Sequence, residues 1–364
     1  MKVGILGGGQ LARMIALAGY PLGLQFIILD PSAEAGAVHL GEHLHGAYDD
    51  PALLEILAKK ADVITYEFEN VPADVANYLA NHTRVYPAAN ALEIAQDRLT
   101  EKNFLRQLDI PIADFSAIDS LESLTTAMAT IGYPAILKSR RMGYDGKGQM
   151  VLKSADDLAN AWQSMQNAPA VVEAFVPFQR EVSIIAARRA NGDIAFYPLS
   201  ENLHNSGILR VAECRIDDPL QQQAEQVVRR LLEALDYVGI IALELFEMDG
   251  ELLANEYAPR VHNSGHWTIE GAETSQFENH LRAILDLPLG STALRGHAGM
   301  VNFIGGLPLP EQVMDIDNAH LHLYDKTPRK GRKVAHATVR ADQHEHYSSS
   351  LQQLIALAES TDDS

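Results

Sequence analysis

The chain has 364 residues, 47% of them hydrophobic, and carries 29 Lys and Arg against 48 Asp and Glu, a formal net charge of -19. This composition excludes a disordered chain and suffices for two or three globular domains. The acidic balance argues against a nucleic-acid partner, and the single cysteine, Cys214, excludes an intramolecular disulfide. No apolar run approaches the roughly 18 residues that span a bilayer. Because the start MKVGILGGG has the pattern of a strand and turn rather than a signal peptide, we expect a cytoplasmic protein.

The first hundred residues alternate between short apolar runs and helical patterns. Strands are predicted at 2–6, 26–29, 63–66 and 85–86, and helices at 11–17, 51–60 and 73–80. This alternation favours a small parallel α/β sheet. A further helical pattern covers 91–108 and stops at Asp109-Ile110-Pro111, which marks a domain boundary.

Two interpretations fit the glycines after the first strand. Gly7-Gly8-Gly9-Gln10-Leu11-Ala12 matches G-x-G-x-x-A, and Asp30 lies 20 residues after Gln10, so a NAD enzyme is one alternative. The other is that a different anion sits on the helix N-terminus. Glu67 follows the strand at 63–66, where it would accept from a ribose hydroxyl or a substrate amine, or lie solvated.

The middle of the chain contains the glycine-rich segment GYDGKGQ at 143–149. Strands are predicted at 135–139, 149–153 and 170–173, and helices at 120–131 and 155–165. Gly143, Gly146 and Gly148 permit a close backbone approach to a ligand, and Lys147 and Lys138 add positive charge to an acidic protein. The segment is therefore either an ordinary turn or a lid over phosphate.

Two acidic residues stand in an apolar hairpin of the last part of the chain. Strands are predicted at 181–188, 194–199, 299–303, 321–324 and 334–339, a hairpin across Asp249-Gly250, and helices at 220–235, 276–285 and 351–357. A three-residue loop centred on Gly250 sets Glu244 opposite Glu256, whereas a two-residue turn sets it opposite Asn255. We favour the first, because facing carboxylates suit Mg²⁺. The alternative is that both glutamates lie on a solvated face.

Two polar segments follow the hairpin. Arg260, His262, Asn263, His266 and Trp267 share an irregular stretch suited to binding a small oxyanion, although His266 and Trp267 also suit packing. Further on, 326–333 holds five basic residues in eight positions. This run is either a phosphate pocket or a solvated surface.

Taken together, these motifs resemble the N5-carboxyaminoimidazole ribonucleotide synthetase family of ATP-grasp enzymes. The matching elements are Lys138, GYDGKGQ, the segment 173–176, Glu181, His204, Asn255-Glu256, the segment 260–267, the N-terminal GGGQL and the C-terminal HLYDK…RKGRKVAH. They span nearly the whole chain. Two positions depart from the family pattern: Val261 stands where proline is usual, and Asp325 where glycine is usual.

The resemblance implies a mixed α/β, three-domain ATP-grasp fold. We expect a Rossmann-like domain at 1–95, a central subdomain with the lid at 96–178, and a C-terminal domain at 179–364 with a small subdomain from about 305. It also implies a cytoplasmic homodimer that binds small molecules, with no nucleic-acid or membrane partner.

The resemblance also implies the site residues. ATP would lie between the second and third domains, against Arg98, Lys138, Gly143, Tyr144, Asp145, Gly146, Lys147, Gly148, Gln149, Glu173, Ala174, Phe175, Val176, Glu181, His204, Asn255 and Glu256. Mg²⁺ would be held by Glu244 and Glu256. Bicarbonate or carboxyphosphate would be held by Arg260, His262 and Asn263 beside Lys138. The ribonucleotide would contact Gly9, Gln10, Leu11, Glu67, Lys326, Arg332 and Lys333.

The implied reaction is the ATP-driven carboxylation of 5-aminoimidazole ribonucleotide by bicarbonate, in purine biosynthesis. Catalysis would come from positioning and charge neutralisation rather than covalent chemistry. Three alternatives remain: another ATP-grasp ligase, such as one that activates formate for a glycinamide ribonucleotide; a NAD-dependent oxidoreductase; and an ATP-binding regulatory module without turnover.

Overall fold

The structure is a computed structural model that describes residues 1–143 and 148–362. The described residues form a mixed α/β molecule with three sheets of four, nine and four strands. Among them, no helix combines the length and the apolar character needed to cross a bilayer.

The N-terminal sheet is parallel throughout, as the strand and helix alternation predicts. Its strands β1 (Lys2–Leu6), β2 (Gln25–Asp30), β3 (Glu42–His45) and β4 (Val63–Tyr66) lie in the order β3-β2-β1-β4. Helices α1 (Gln10–Gly19), α2 (Pro51–Lys60) and α3 (Ala73–Ala80) connect or flank them. Since β1 and β4 are neighbours, the glycines after β1 and Glu67 after β4 meet at one edge.

Two local predictions for this region are wrong. The expected strand at 85–86 is only an isolated bridge between Val85 and Ile64. The expected helix at 91–108 is two helices, α4 (Ala89–Ala95) and α5 (Arg98–Gln107). Asp97 separates them because its side chain accepts from the backbone N–H groups of Leu99 and Thr100 and so starts a new helix.

The second sheet is antiparallel and carries the start of the glycine-rich segment. Its strands are β5 (Phe115–Ile118), β6 (Ala135–Ser139), β7 (Gln149–Leu152) and β8 (Ala170–Ala174), in the order β5-β8-β6-β7. Helices α6 (Leu121–Ile131) and α7 (Leu158–Ser164) cover it, α7 being shorter than predicted because 155–157 is a 3₁₀ turn. Residues 144–147, at the centre of the predicted lid, lie outside the described residues.

The third sheet is the largest. It contains β9 (Arg180–Arg188), β10 (Ile194–Phe196), β11 (Ser200–Asn205), β12 (Ile208–Cys214), β13 (Gly239–Met248), β14 (Glu251–Ala258), β15 (His297–Ile304), β16 (Ala319–Leu323) and β17 (Lys333–Ala341). The order is β14-β13-β9-β11-β12-β15-β17-β16, with β10 beside β9. The predicted strands after position 299 therefore extend the same sheet.

Helices on this sheet bury regular apolar faces. They are α8 (Gln221–Ala234), α9 (Thr268–Gly271), α10 (Gln276–Ile284), α11 (Pro310–Met314) and α12 (His344–Thr361). In α8 the buried positions 224, 227, 228, 231 and 232 follow helical spacing. Helix α10 packs against α1, and residues of both belong to one core cluster. The N-terminal sheet is thus joined to the large sheet by an apolar core.

Candidate active site

A cavity of about 1130 Å³ lies where all three sheets meet. The region of the first sheet contributes Gln10, Leu11 and Glu67, and the second sheet contributes Lys138 and Gln149. Arg98 and Gly143 also line the cavity. The third sheet and its loops contribute the largest set, which is Glu181, His204, Glu244, Asn255, Glu256, Arg260, His262, Asn263, Lys326, Arg332 and Lys333. The structure therefore brings most of the predicted site residues to one place.

The carboxylate of Glu67 occupies the N-terminus of α1. One oxygen accepts from the backbone N–H of Gly9 at 2.6 Å, and the other accepts from Leu11 and Ala12 at 3.1 Å each. A β-carbon at position 9 would collide with this carboxylate, so glycine is required there. Burial raises the pKa of Glu67, although the N–H donors oppose the rise. Since a dinucleotide pyrophosphate would need the same N–H groups, the structure argues against the NAD interpretation.

Asp30, the second part of the dinucleotide motif, is also engaged. Its Oδ2 accepts from the backbone N–H of Gly8 at 2.7 Å and from the hydroxyl of Tyr48 at 3.0 Å. Its Oδ1 accepts from the backbone N–H of Ser32 at 2.7 Å. The side chain is buried. Asp30 therefore shapes the glycine turn instead of presenting its carboxylate to a ribose.

The basic segment 326–333 lies beside the edge of the first sheet that carries Gln10 and Glu67. The Lys326 ammonium donates to the side-chain carbonyl of Gln10. Burial lowers the pKa of Lys326 to about 8; Glu67 opposes this, and the neighbouring cation Arg332 adds to it. Because these cations line the cavity beside Gln10 and Glu67, the run forms part of a pocket and not only a solvated surface.

Glu244 and Glu256 lie directly opposite each other on β13 and β14, as predicted, but for a different reason. Met248 pairs with Glu251, so the loop is the two-residue Asp249-Gly250 turn, with both residues at positive φ. The register shifts between Glu244 and Leu245 because Asn255 is an extra residue on β14. This bulge, rather than a longer loop, sets the two carboxylates face to face.

Each of these carboxylates has a nitrogen group beside it. The Nε2 of His262 lies 3.1 Å from Glu244, and the Arg98 guanidinium lies 3.6 Å from Glu256. Burial opposes ionisation of Glu244, but the hydrogen bond from His262 and the positive charge of Lys333 hold its pKa well below the usual range.

The donor set of this pair fits one kind of metal site. Among the described residues, no group of three or more His, Cys, Asp or Glu side chains is placed to hold a metal by itself. Two facing carboxylates suit Mg²⁺, which is usually bound by one or two carboxylates together with substrate phosphates. The pair therefore suits a metal that arrives with a nucleotide.

Lys138, on β6, points a buried ammonium group towards the hairpin. It donates to the Glu173 carboxylate at 3.1 Å and to the side-chain oxygen of Asn255 at 3.4 Å. Arg98 donates to the carbonyls of Ser139 at 3.0 Å and Gly143 at 3.4 Å. Arg98 thus holds the first residue of the glycine-rich segment in place.

Some of the predicted site residues are not among those that line the cavity. Gly9, Gly148, Glu173, Ala174, Phe175 and Val176 are outside the residues that line the cavity, and Tyr144, Asp145, Gly146 and Lys147 are outside the described residues. The Glu173 side chain is buried against lysines. The contacts predicted for these residues therefore stay predictions.

Near the β9 and β11 end of the cavity, Glu181 and His204 form an ion pair. Oε2 of Glu181 lies 3.0 Å from Nδ1 of His204, although the contact does not meet the geometry of a hydrogen bond. Burial opposes protonation of His204, but the Glu181 and Glu244 carboxylates together outweigh it and raise the pKa of the imidazole.

An aromatic pair that the sequence interpretation missed also lines the cavity. Phe178 and Phe246 stack with ring centroids 4.8 Å apart and planes 8° apart. Phe178 remains 39% exposed, and its position just before β9 was the available signal. The pair offers a flat apolar wall of the kind on which a planar ring stacks.

The polar segment after β14 is held by side chains from several elements. The Arg260 guanidinium donates to Glu69 and, at 3.0 Å, to the carbonyl of Val261. Asn263 and Asn302 exchange hydrogen bonds between their side-chain amides, at 3.1 and 2.6 Å. This segment is therefore preorganised instead of mobile.

Buried hydroxyl groups orient His262. Ser183 donates to Ser264 at 2.7 Å, and Ser264 lies 2.8 Å from His262 Nδ1. The backbone N–H of Ser264 also donates to Nδ1, at 3.3 Å. Because Nδ1 accepts, the proton of the neutral ring is on Nε2, which faces Glu244.

His266 and Trp267 are packing residues, in agreement with the second interpretation of this segment. Both are fully buried, and Trp267 donates to the Ser200 hydroxyl at 2.7 Å. The single cysteine, Cys214, is also buried, and burial raises its pKa to about 12.

Fold and site together define an ATP-grasp enzyme. Residues 103–277 match the ATP-grasp domain, residues 1–96 the ribonucleotide synthetase preATP-grasp domain, and residues 298–350 the phosphoribosylaminoimidazole carboxylase C-terminal domain. The chain belongs to the N5-carboxyaminoimidazole ribonucleotide synthase family of ATP-dependent ligases.

Individual relatives match along nearly their whole length. The N5-carboxyaminoimidazole ribonucleotide synthase of Pseudomonas aeruginosa is 50% identical over 99% of this chain and 100% of its own. The crystal structure of the synthetase from Thermus thermophilus matches with a TM-score of 0.94 at 50% identity, covering 98% of both chains. The Aspergillus clavatus synthase in complex with ADP and 5-aminoimidazole ribonucleotide matches with a TM-score of 0.92 at 31% identity, covering 99% of this chain and 98% of that one.

Proposed function

We propose that this protein carboxylates the exocyclic amine of 5-aminoimidazole ribonucleotide with bicarbonate, at the cost of ATP. The observation that carries the proposal is the continuous cavity. It joins the basic pocket at Gln10 and Lys326 to the Lys138, Glu244 and Glu256 cluster, so an activated carboxyl group reaches the amine without crossing bulk solvent.

The nucleotide binds at the hairpin end of the cavity. Lys138 and Arg98 contact the phosphates, Glu181 and His204 lie at the ribose, and the base stacks near Phe178 and Phe246. The acidic background of the protein makes this cationic cluster the natural receptor for a triphosphate. The predicted contacts from 143–149 and 173–176 belong to the same proposal.

Glu244 and Glu256 hold Mg²⁺ together with the nucleotide phosphates. When bound, the metal neutralises charge that develops on the transferred phosphoryl group. The two side chains contribute their fixed position across the hairpin. His262 and Arg98 lie beside the pair in the structure, next to the proposed position of the reacting groups.

Arg260, His262 and Asn263 orient the one-carbon unit. A bicarbonate oxygen attacks the γ-phosphorus, the bond to the ADP oxygen breaks, and carboxyphosphate forms. The amine then forms the new C–N bond with its carbon, directly or through released CO₂, and phosphate leaves. The amine proton passes to the phosphate or to solvent, so no side chain needs to become covalently modified.

The ribonucleotide binds at the N-terminal edge. Lys326, Arg332 and Lys333 provide positive charge for its 5′-phosphate, while Gln10, Leu11 and Glu67 form the opposite wall. The predicted contact of Gly9 belongs to the same proposal. This arrangement rests on the cation cluster that lines the cavity there. We also propose that the enzyme works as a homodimer in the cytoplasm, for which sedimentation velocity is the direct test of assembly.

ADP release is the first measurement, with Mg²⁺ and labelled bicarbonate, in the presence and absence of 5-aminoimidazole ribonucleotide. We expect ribonucleotide-dependent ADP release with equal incorporation of label into an acid-labile product. Formate with glycinamide ribonucleotide serves as the control for the second candidate ligase, which shares the ATP residues. ADP release without incorporation of label would exclude 5-aminoimidazole ribonucleotide as the acceptor. ADP release that depends on formate and glycinamide ribonucleotide would favour the second candidate.

A further inference from the structure

Three charged side chains form a buried cluster behind the cavity. Lys102 of α5 is 2% exposed, Glu173 of β8 is 4% exposed, and Lys138 of β6 is 8% exposed. Lys138 lines the cavity, whereas Lys102 does not. Lys102 is therefore a fully buried cation without direct access to the nucleotide, and the mechanism above assigns it no role.

Both lysines contact the same oxygen of Glu173. Oε2 lies 3.0 Å from the Lys102 ammonium and 3.1 Å from the Lys138 ammonium. Lys102 also donates to the backbone carbonyl of Asn255 at 3.4 Å, and Lys138 to the side chain of the same residue at 3.4 Å. The cluster thus joins the second sheet to the bulge of the metal-binding hairpin.

The charges of this cluster do not cancel. Burial opposes ionisation of Glu173, yet the two ammonium groups lower its pKa, so the carboxylate stays charged. Two ammonium groups and one carboxylate leave one positive charge in excess. An uncompensated buried charge is costly unless an opposite charge is supplied, and a nucleotide phosphate at Lys138 supplies it.

We propose that Lys102 is a positioning residue for ATP binding, which neutralises Glu173 so that the charge of Lys138 remains available to the phosphates. Without Lys102, Glu173 and Lys138 form a balanced one-to-one pair. The Glu173 carboxylate then neutralises the charge of Lys138, so the attraction between Lys138 and a phosphate group weakens. The inference rests on the proposed nucleotide role of Lys138, although not on the identity of the carboxyl acceptor.

The first test is Lys102→Met, which keeps the length of the side chain and removes its charge. Because the remaining pair is balanced, the variant is expected to fold, and circular dichroism checks this. We expect the dissociation constant of ADP, measured by calorimetry with Mg²⁺, and the KM for ATP to rise roughly tenfold or more. The KM for 5-aminoimidazole ribonucleotide should change less than about twofold.

The matched control is Lys59→Met. Lys59 belongs to an exposed ion pair with Glu55 on α2, and such pairs contribute little. This variant should bind ADP like the wild-type protein. If Lys102→Met also bound ADP with wild-type affinity, the inference would be overturned.

The second test separates charge from packing. The Glu173 side chain faces the two lysines and does not line the cavity, so Glu173→Gln leaves the backbone of the proposed nucleotide contact in place. Combined with Lys102→Met it removes both partner charges and frees Lys138, so ADP affinity should return to within about threefold of wild type, the scale of one neutral hydrogen bond. If the double variant stayed as weak as Lys102→Met, the side chain would act only through packing. ADP binding is measured without any carboxylation, so this result stays independent of the proposed reaction.

Discussion

At the scale of single residues, the loop that carries Lys326 shows how the site is assembled. Lys326 reaches from the last part of the chain to Gln10 near its start. The preceding Asp325 adopts φ 56°, the left-handed region that favours glycine. This conformation agrees with the glycine that the family resemblance leads us to expect at this position. The positive φ of Asp325 strains the backbone, and it directs the following residue, Lys326, towards the first sheet.

The titration of Lys326 leads to a pH prediction. Its pKa of about 8 means that the ammonium loses its charge as the pH rises through 8. The KM for 5-aminoimidazole ribonucleotide should therefore rise roughly eightfold between pH 7.5 and 9, as the charged fraction falls, while the KM for ATP should not follow. Steady-state kinetics at several pH values measures both.

Lys326→Arg is the matched control, because arginine stays charged over this range. Its KM for the ribonucleotide should be nearly constant with pH, whereas Lys326→Ala should have a raised KM at every pH. If the KM of Lys326→Arg for the ribonucleotide rose with pH as it does in the wild-type enzyme, another group would be responsible for the pH dependence.

At the scale of elements, one aspartate determines where the central helix breaks. Asp97 caps α5 and also binds Arg140, at 3.1 Å to Nε and 2.9 Å to Nη2. Burial opposes its ionisation, but the hydrogen bonds from Arg140 and Thr100 lower the pKa of Asp97. The cap therefore aligns Arg98, the next residue, with the cavity and links α5 to the end of β6.

Substitutions at Asp97 separate the cap from the ion pair. Asp97→Asn keeps a capping acceptor and loses the charge, while Asp97→Ala loses both. We expect Asp97→Ala to lower the free energy of unfolding by roughly 2 to 4 kcal/mol, and Asp97→Asn to lie between this and wild type. Urea denaturation of both variants measures the difference.

Asp50 offers the control, since it caps α2 through the N–H groups of Ala52 and Leu53, and no ion pair to it occurs among the described residues. Asp50→Ala should cost about 1 kcal/mol and Asp50→Asn close to nothing. If Asp97→Ala cost no more than Asp50→Ala, the ion pairs of Asp97 with Arg140 and Arg141 would add nothing to the stability of the helix break.

At the scale of the whole molecule, buried imidazoles lie where the sheets are joined. His280 of α10 accepts at Nδ1 from the backbone N–H of Ile240 at 3.2 Å, and its Nε2 lies 2.8 Å from the Thr65 hydroxyl of β4. Burial lowers the pKa of His280 to about 4, and burial likewise puts the pKa values of His266 and His336 well below the usual range. The junction at His280 and the packing of His266 against His336 therefore require neutral imidazoles.

This requirement predicts acid sensitivity. As the pH falls through about 6.5, the unfolded chain binds protons at these positions while the folded protein does not, so the free energy of unfolding falls. For His280 alone the loss between pH 7.5 and 5.5 is about 1 kcal/mol. Urea denaturation at the two pH values, followed by tryptophan fluorescence, measures the total.

His280→Gln should reduce this pH-dependent loss by about 1 kcal/mol, whatever its effect on absolute stability. The control His346→Gln removes an exposed histidine and should leave the pH dependence as in wild type. An unchanged pH dependence in His280→Gln would show that other groups cause the acid sensitivity.

Sequence patterns predicted helices and strands best where the element buries a single face or where a turn residue marks its end. Strands 2–6 and 63–66 and helices 51–60 and 73–80 were predicted with their observed bounds. Strand β11 was missed because its pattern is inverted: Ser200 and Asn202 are buried while Leu203 is 61% exposed. Buried polar residues that serve a site break the alternation on which strand prediction depends.

The sequence was sufficient to predict the α/β class, because glycine turns and helical spacing are local properties. Through the resemblance of its motifs to a known family, it was also sufficient for the family and the candidate residues. The tertiary structure alone decided that Glu67 fills the helix N-terminus, that a bulge at Asn255 sets Glu244 opposite Glu256, and that Lys102 shares Glu173 with Lys138. These features depend on burial, register and contacts between residues far apart in the chain. No local pattern encodes them, because each is fixed by the packing of several elements at once.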